Sequence, residues 1–296
     1  MNEFKPVGTF TALITPFNNK GEVDFKALKK LIDFQIENGV DGVVVCATTG
    51  ESATLSLKEK QAIIIKSVEF AKDRIPIIAG TGTNETELTL DLTIFAKEHG
   101  ASACLLVAPY YNKPNQDGLY EHFRLVATTV DIPIILYNVP SRTGVNISDS
   151  TQIRLAKDCP NIVATKEASG NLEQIMNIIA DAPANFSVLS GDDSLTLPIL
   201  ALGGKGVVSV ISNYAPRQFS EMVRLALQNK IEEARAIHYN LLELMKLNFI
   251  EPNPIPVKYI MSLLGFTKEM YRLPLLPLSN QVKNKIKDKL KFAKII

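Results

Sequence analysis

Apolar runs of strand length alternate with amphipathic stretches of helical length along most of this chain. The runs are Gly8–Pro16, Gly42–Cys46, Ile75–Ala79, Ala103–Ala108, Ile132–Asn138, Ile162–Lys166, Phe186–Ser190 and Gly206–Ile211. They are rich in β-branched residues and flanked by Gly, Pro, Asn or Asp, the pattern of strands buried on both faces. Between them, Asp24–Asn38 places Phe25, Leu28, Leu31, Ile32 and Ile36 at helical spacing, and Gly39 follows as a stop. Ser56–Lys72 repeats the pattern with Ile63, Ile64, Val68 and Phe70, and Thr86–Glu98 with Leu88, Leu92 and Phe95. Eight strands, each followed by a helix, predict an α/β fold of the closed (β/α)8 TIM-barrel type over residues 1–228. A doubly wound open sheet would carry a nucleotide fingerprint. Gly80-Thr81-Gly82 lacks the third glycine and reads only as a tight turn.

Past residue 228 the alternation stops. Lys230–Phe249 is helical throughout, Pro252, Pro254 and Pro256 break it, and Val257–Leu264 resumes before Gly265. A last helix over Ser279–Ile296 puts Val282, Ile286 and Leu290 on one stripe, surrounded by Lys283, Lys285, Lys287, Lys289, Lys291 and Lys294. Residues 229–296 therefore read as an all-helical C-terminal appendage. Its lysines read as a solvated face, because 32 Lys and Arg are balanced by 31 Asp and Glu for a net charge of +1. Neither a nucleic-acid nor a membrane-surface partner is expected.

Composition changes this picture little. Hydrophobic content of 46% and charged content of 21% suit a globular protein with a large core. No apolar stretch of about 18 residues occurs, so no transmembrane helix is expected. Met1-Asn2-Glu3-Phe4-Lys5-Pro6 is not a basic segment followed by an apolar run, so no signal peptide is expected. Cys46, Cys104 and Cys159 are isolated and read as small buried hydrophobes in a reducing cytoplasm. His99, His122 and His238 form no ligand spacing, and no metal site is expected.

In such barrels, chemistry gathers at the C-terminal ends of the strands. Strand 2 ends in Ala47-Thr48-Thr49-Gly50-Glu51-Ser52 and strand 4 in Pro109-Tyr110-Tyr111-Asn112-Lys113-Pro114. Strand 5 ends in Tyr137-Asn138-Val139-Pro140-Ser141-Arg142-Thr143-Gly144, strand 6 in Lys166, and strand 7 in Ser190-Gly191-Asp192-Asp193. Alternation on strand 6 groups Ile162, Ala164 and Lys166 on one face, and Val163, Thr165 and Glu167 on the other. An ammonium at the end of a buried strand is costly unless it has a partner or a task, and a neutral lysine amine attacks carbonyls to form a Schiff base. The plain alternative is a lysine reaching solvent beside Glu167. The segment after strand 8, Ser212-Asn213-Tyr214-Ala215-Pro216, is not glycine-rich, which disfavours a phosphorylated substrate. Carbonyl chemistry through an imine remains.

Those strand ends resemble the dihydrodipicolinate synthase and N-acetylneuraminate lyase group of pyruvate-dependent class I aldolases across nearly the full length. The carrying motifs are Thr48-Thr49-Gly50-Glu51-Ser52, Tyr110-Tyr111-Asn112-Lys113-Pro114, Tyr137 to Gly144, Lys166-Glu167-Ala168, and Gly203-Gly204-Lys205-Gly206-Val207-Val208-Ser209. The Thr-Thr-Gly-Glu-Ser run together with Arg142 is similar to the synthase branch. The resemblance implies that Lys166 condenses with pyruvate and that the enamine attacks aspartate 4-semialdehyde. Closure by the amino group would then give 4-hydroxy-tetrahydrodipicolinate, for diaminopimelate and lysine biosynthesis in the cytoplasm, with no cofactor. It implies Tyr137 as proton donor and acceptor, with Thr48 and Tyr111 as a relay, Tyr111 arriving from a neighbouring subunit. Thr49 and the backbone around Gly191 and Val208 would hold pyruvate, and Arg142 the semialdehyde carboxylate. The implied assembly is a homotetramer, a dimer of dimers. The competing readings are an aldolase for N-acetylneuraminate or a 2-keto-3-deoxy sugar acid, and a keto-acid-binding barrel without catalysis. Arg142 argues against the first. Lys166, Tyr137 and the threonine pair together argue against the second.

Two departures bear on regulation and fit. Family members usually have Gly where this chain has Ala47. In lysine-inhibited members, the cleft equivalent to Ser52, Ala53, Asn84 and Tyr110 also carries histidines and a glutamate; here those positions are Leu57, Lys60 and Leu88. Weak or absent lysine inhibition is expected.

Overall fold

A computed structural model describes residues 4–293 and 295. Met1 to Glu3, Lys294 and Ile296, which carry the ends of the N-terminal and last-helix readings, lie outside the described residues. Eight parallel strands close a barrel in chain order: β1 (Gly8–Ala12), β2 (Gly42–Val45), β3 (Ile77–Gly80), β4 (Ala103–Val107), β5 (Ile134–Asn138), β6 (Ile162–Glu167), β7 (Ser187–Ser190) and β8 (Gly206–Ser209). Pairing of β1 with β8, Phe10 opposite Val208, completes the ring. The predicted runs end beyond the strands at β1, β2, β4 and β8, by four residues at β1, where the chain leaves the ladder to build loops, and stop one residue short at β3 and β6.

The first four helices are α1 (Phe25–Glu37), α2 (Leu57–Ala71), α3 (Thr86–Glu98) and α4 (Gln116–Thr129). After β5 come α5 (Pro140–Thr143) and α6 (Asp149–Asp158), then α7 (Leu172–Asp181), α8 (Thr196–Ala201) and α9 (Pro216–Leu227). Their starts are set by side chains that accept otherwise unpaired amides: Asp24 from Ala27, Asn115 from Gly118, Ser148 from Thr151, and Ser56 in a capping box with Glu59. Side chains sort into two layers. Phe10, Val44, Ile78, Leu105, Ile135, Ala164, Leu189 and Val208 fill the barrel interior, while a larger cluster joins the outer strand faces to the helices.

The appendage is α10 (Ile231–Leu247), α11 (Ile255–Leu263) and α12 (Asn280–Phe292). Pro256 does not break this region as expected. It sits in the first turn of α11, where a missing N–H costs nothing, so the helix begins two residues earlier than read. Buried residues of α10 and α11, such as Leu244, Met245, Val257 and Met261, belong to the same cluster as the outer barrel residues. Arg272 fastens the appendage to the barrel, donating to Glu59 at 2.5 Å and to the carbonyls of Gly21 and Thr54 at 2.7 and 2.9 Å. On α12, Ile286 and Leu290 are buried, and Lys283 pairs with Glu269 at 2.7 Å. No helix among the described residues is long and apolar enough to cross a membrane.

Candidate active site

Strand β6 aims the central lysine by a register irregularity. Ile134 pairs with Ile162 but Ile135 pairs with Ala164, so Val163 is an extra residue on β6. The face assignment read from simple alternation is corrected here: Ile162 packs in the outer cluster while Ala164 lies in the barrel interior. A bulge turns the strand beyond it. Lys166 then points inward, only 5% exposed, with Nζ 4.0 Å from the centre of the Tyr137 ring on the paired strand. Among the described residues this ammonium has no carboxylate partner.

The next residue faces the other way and locks the strand end. Buried Glu167 accepts from Asn138, Gln152 and Gln174 amides at 2.8, 2.7 and 3.0 Å and from the Ser169 hydroxyl at 2.6 Å. A buried carboxylate saturated by neutral donors is stable and has no spare lone pair for proton traffic. Beside it, Gly191 N donates to the Glu167 carbonyl at 2.6 Å. A Cβ at Gly191 would stand 2.6 Å from Ala168 Cβ, so only glycine lets β7 approach β6 this closely. The end of β8, past Val208, is held by Asp193, which accepts from the amides of Val210 and Ile211 at 3.1 and 2.8 Å. Burial pushes the Asp193 carboxyl up to about 6, against the pull of those amides.

Above this layer lies a cavity of about 320 Å³ whose wall includes Ala47, Thr48, Tyr137, Val139, Arg142 and Asn253. Thr48 and Thr49 belong to a turn closed by Glu51 N donating to Thr48 O at 3.0 Å. Glu51 is left-handed (φ 55°), and its buried carboxylate pairs with Lys258 of α11, whose side chain is fully buried. Burial lowers the Lys258 ammonium to about 8 despite the carboxylate beside it. Arg142 is exposed on the wall and donates to the backbone carbonyl of Asn253 at 3.3 Å.

Thus Thr48, Tyr137 and Arg142 share one wall, and Lys166 lies one contact further in, against the Tyr137 ring. Thr49, Gly191 and Val208 surround this region without lining the cavity. Tyr111 is not brought to it: its ring is 90% exposed, on a left-handed backbone (φ 74°). The positions read as an effector cleft do not all meet: half-buried Asn84 is not on this wall. Ser52, Ala53, Tyr110 and half-buried Lys60 sit on the cavity wall, while Leu57 and Leu88 are exposed. Sequence reasoning did not find Asn253, Lys258 or the amides around Glu167. A polar residue fixed between Pro252 and Pro254, and a lysine inside an apolar helix, were the available signals for the first two.

The Dihydrodipicolinate synthetase family profile matches residues 5–293. The 4-hydroxy-tetrahydrodipicolinate synthase of Hydrogenobaculum sp. is 54% identical over 98% of this chain and 99% of its own. The crystal structure of dihydrodipicolinate synthase from Aquifex aeolicus superposes with a TM-score of 0.96 at 52% identity, covering 98% of each chain. That of the enzyme from Cyanidioschyzon merolae with lysine bound gives 0.96 at 40% identity, covering 98% of this chain and 99% of that one. With the same barrel, a lysine inside it and half its residues shared from end to end, the chain belongs to the dihydrodipicolinate synthase family.

Proposed function

We propose that this chain is a lyase that condenses pyruvate with L-aspartate 4-semialdehyde to give 4-hydroxy-tetrahydrodipicolinate, in the cytoplasm, for lysine and diaminopimelate biosynthesis. The observation that carries this reading is the inward Lys166 amine set against Tyr137, with Arg142 on the wall above. Nζ adds to the keto carbon of pyruvate and expels water to form an imine. Loss of a C3 proton gives an enamine, whose carbon attacks the aldehyde. The substrate's amino group then adds to the imine carbon, closing the ring and freeing Lys166. Tyr137 carries protons to and from these centres, with Thr48 and a neighbouring subunit's Tyr111 as the relay. Thr49 and the backbone at Gly191 and Val208 take the pyruvate carboxylate, and Arg142 that of the aldehyde. The guanidinium supports a carboxylate-bearing aldehyde over a polyol. Pyruvate assayed against a panel of aldehydes, with a reductase consuming the cyclic product, tests this; preference for a sugar aldehyde overturns it.

The same assay reads regulation. Capping by Glu85, which accepts from the amides of Glu87 and Leu88 at 2.9 and 2.6 Å, fixes the start of α3, so Glu87 does not replace the acid missing at Leu88. A lysine ligand meets the Lys60 ammonium and no acidic partner at that position. Such a change in a half-buried cleft costs on the order of 2 to 5 kcal/mol, at least about a thirtyfold loss of affinity. Initial rates are expected to hold up to about millimolar lysine; half-inhibition well below that contradicts this account of the cleft.

For assembly we propose a homotetramer built as a dimer of dimers, in which exposed Tyr110 and Tyr111 meet a second copy. Mixing Tyr111→Phe chains with Lys166→Ala chains is expected to restore part of the activity each lacks. In a mixed dimer one site draws an intact residue from each chain. Failure of recovery under subunit exchange rules out the shared site.

A further inference from the structure

Asn253, in the appendage, touches both groups proposed to grip carboxylates. Its side chain is 6% exposed, and its Nδ2 donates to Thr49 Oγ1 at 3.0 Å. Its main-chain carbonyl accepts from Arg142 at 3.3 Å. Thr49 is itself buried, at 2% exposure. A hydroxyl has one proton and two lone pairs. With one lone pair taken by the Asn253 amide, the Thr49 proton is left to donate elsewhere. Asn253 Oδ1 has no hydrogen-bond partner among the described residues and does not claim that proton. The segment is firmly placed: Pro252 and Pro254 flank it, and on its C-terminal side Lys258 and Arg272 tie the chain to Glu51 and Glu59.

We infer that Asn253 is a positioning residue: by donating to Thr49 Oγ1, its amide orients the Thr49 hydroxyl so that its proton is directed to the pyruvate carboxylate. The inference rests on the role of Thr49 proposed above. The helical appendage thereby takes part in substrate recognition inside the barrel. The sense of the hydrogen bond is what matters. An ionised aspartate at 253 accepts only, so it takes the Thr49 proton and sets a negative charge near the bound carboxylate.

The test is steady-state kinetics of the full-length enzyme against pH. Thr49→Val is expected to raise the pyruvate KM about tenfold or more. Asn253→Ala is expected to raise it about tenfold while leaving the aldehyde KM within about twofold, because Arg142 bonds to the main chain. Asn253→Asp is expected to raise it about a hundredfold at pH near 8, with the loss shrinking as the pH is lowered and a protonated carboxyl regains a donor. If Thr49→Val binds pyruvate normally, the role of Thr49 is wrong. If Thr49→Val is impaired but Asn253→Ala is not, the positioning role is overturned. It is equally overturned if Asn253→Asp and Asn253→Ala behave alike at every pH. Should Asn253→Asp fail to fold, the alanine variant's KM split alone decides.

Discussion

A Lys166→Arg enzyme is expected to lose turnover by about ten-thousand-fold or more, and borohydride with pyruvate is expected to leave no adduct on it. In the parent protein the same treatment should fix one adduct per chain, on the peptide carrying Lys166. The reason is specific to the position. Nζ is nearly shut off from water and rests on the face of the Tyr137 ring rather than on a carboxylate. A buried cation without a counter-charge is costly and gives little back in stability. Arginine keeps the positive charge but cannot be deprotonated to act as a nucleophile. The thermal transition should therefore stay close to that of the parent while activity vanishes. An adduct on another lysine, or none in the parent, contradicts the imine route.

Tyr137→Phe is the second large effect. The ring belongs to the interior layer and is 5% exposed, so the substitution keeps the packing and the aromatic face beneath Lys166. Only the phenol is lost. Removal of a positioned general acid–base lowers kcat by roughly 10²- to 10⁴-fold. Since Lys166 is intact, borohydride should still trap the pyruvate imine, though more slowly. Trapping at parental speed with kcat reduced less than about tenfold would show that proton transfer runs through another group.

These two residues were legible in the sequence for different reasons. Lys166 stood out because strand ends gather chemistry in a barrel and because it closes an apolar run. Tyr137 came from a motif at the end of β5 and from its resemblance to a family. The eight strands could be read because barrel strands are buried on both faces, which leaves β-branched runs with abrupt polar ends. The bulge at Val163 was hidden, since it exists only relative to the register of β5. Period-two counting therefore grouped Ile162 wrongly with Lys166. Nor does local sequence disclose the seal on Glu167, whose partners come from β5, α6 and α7. Asn253 was masked by its prolines, which read as interruption although they present one amide rigidly.

The buried pair of Glu51 and Lys258 joins residues 207 positions apart. At ribosomal speeds of about 5 to 20 residues per second, that separation is on the order of 10 to 40 s of synthesis. Throughout that interval the nascent chain holds Glu51 without its cation, and a lone carboxylate does not enter an apolar interior. The turn carrying Thr48 and Thr49 is thus made early but seated late. Sealing of this rim thus waits on α11, which begins only at Ile255, after the last barrel strand has ended at Ser209.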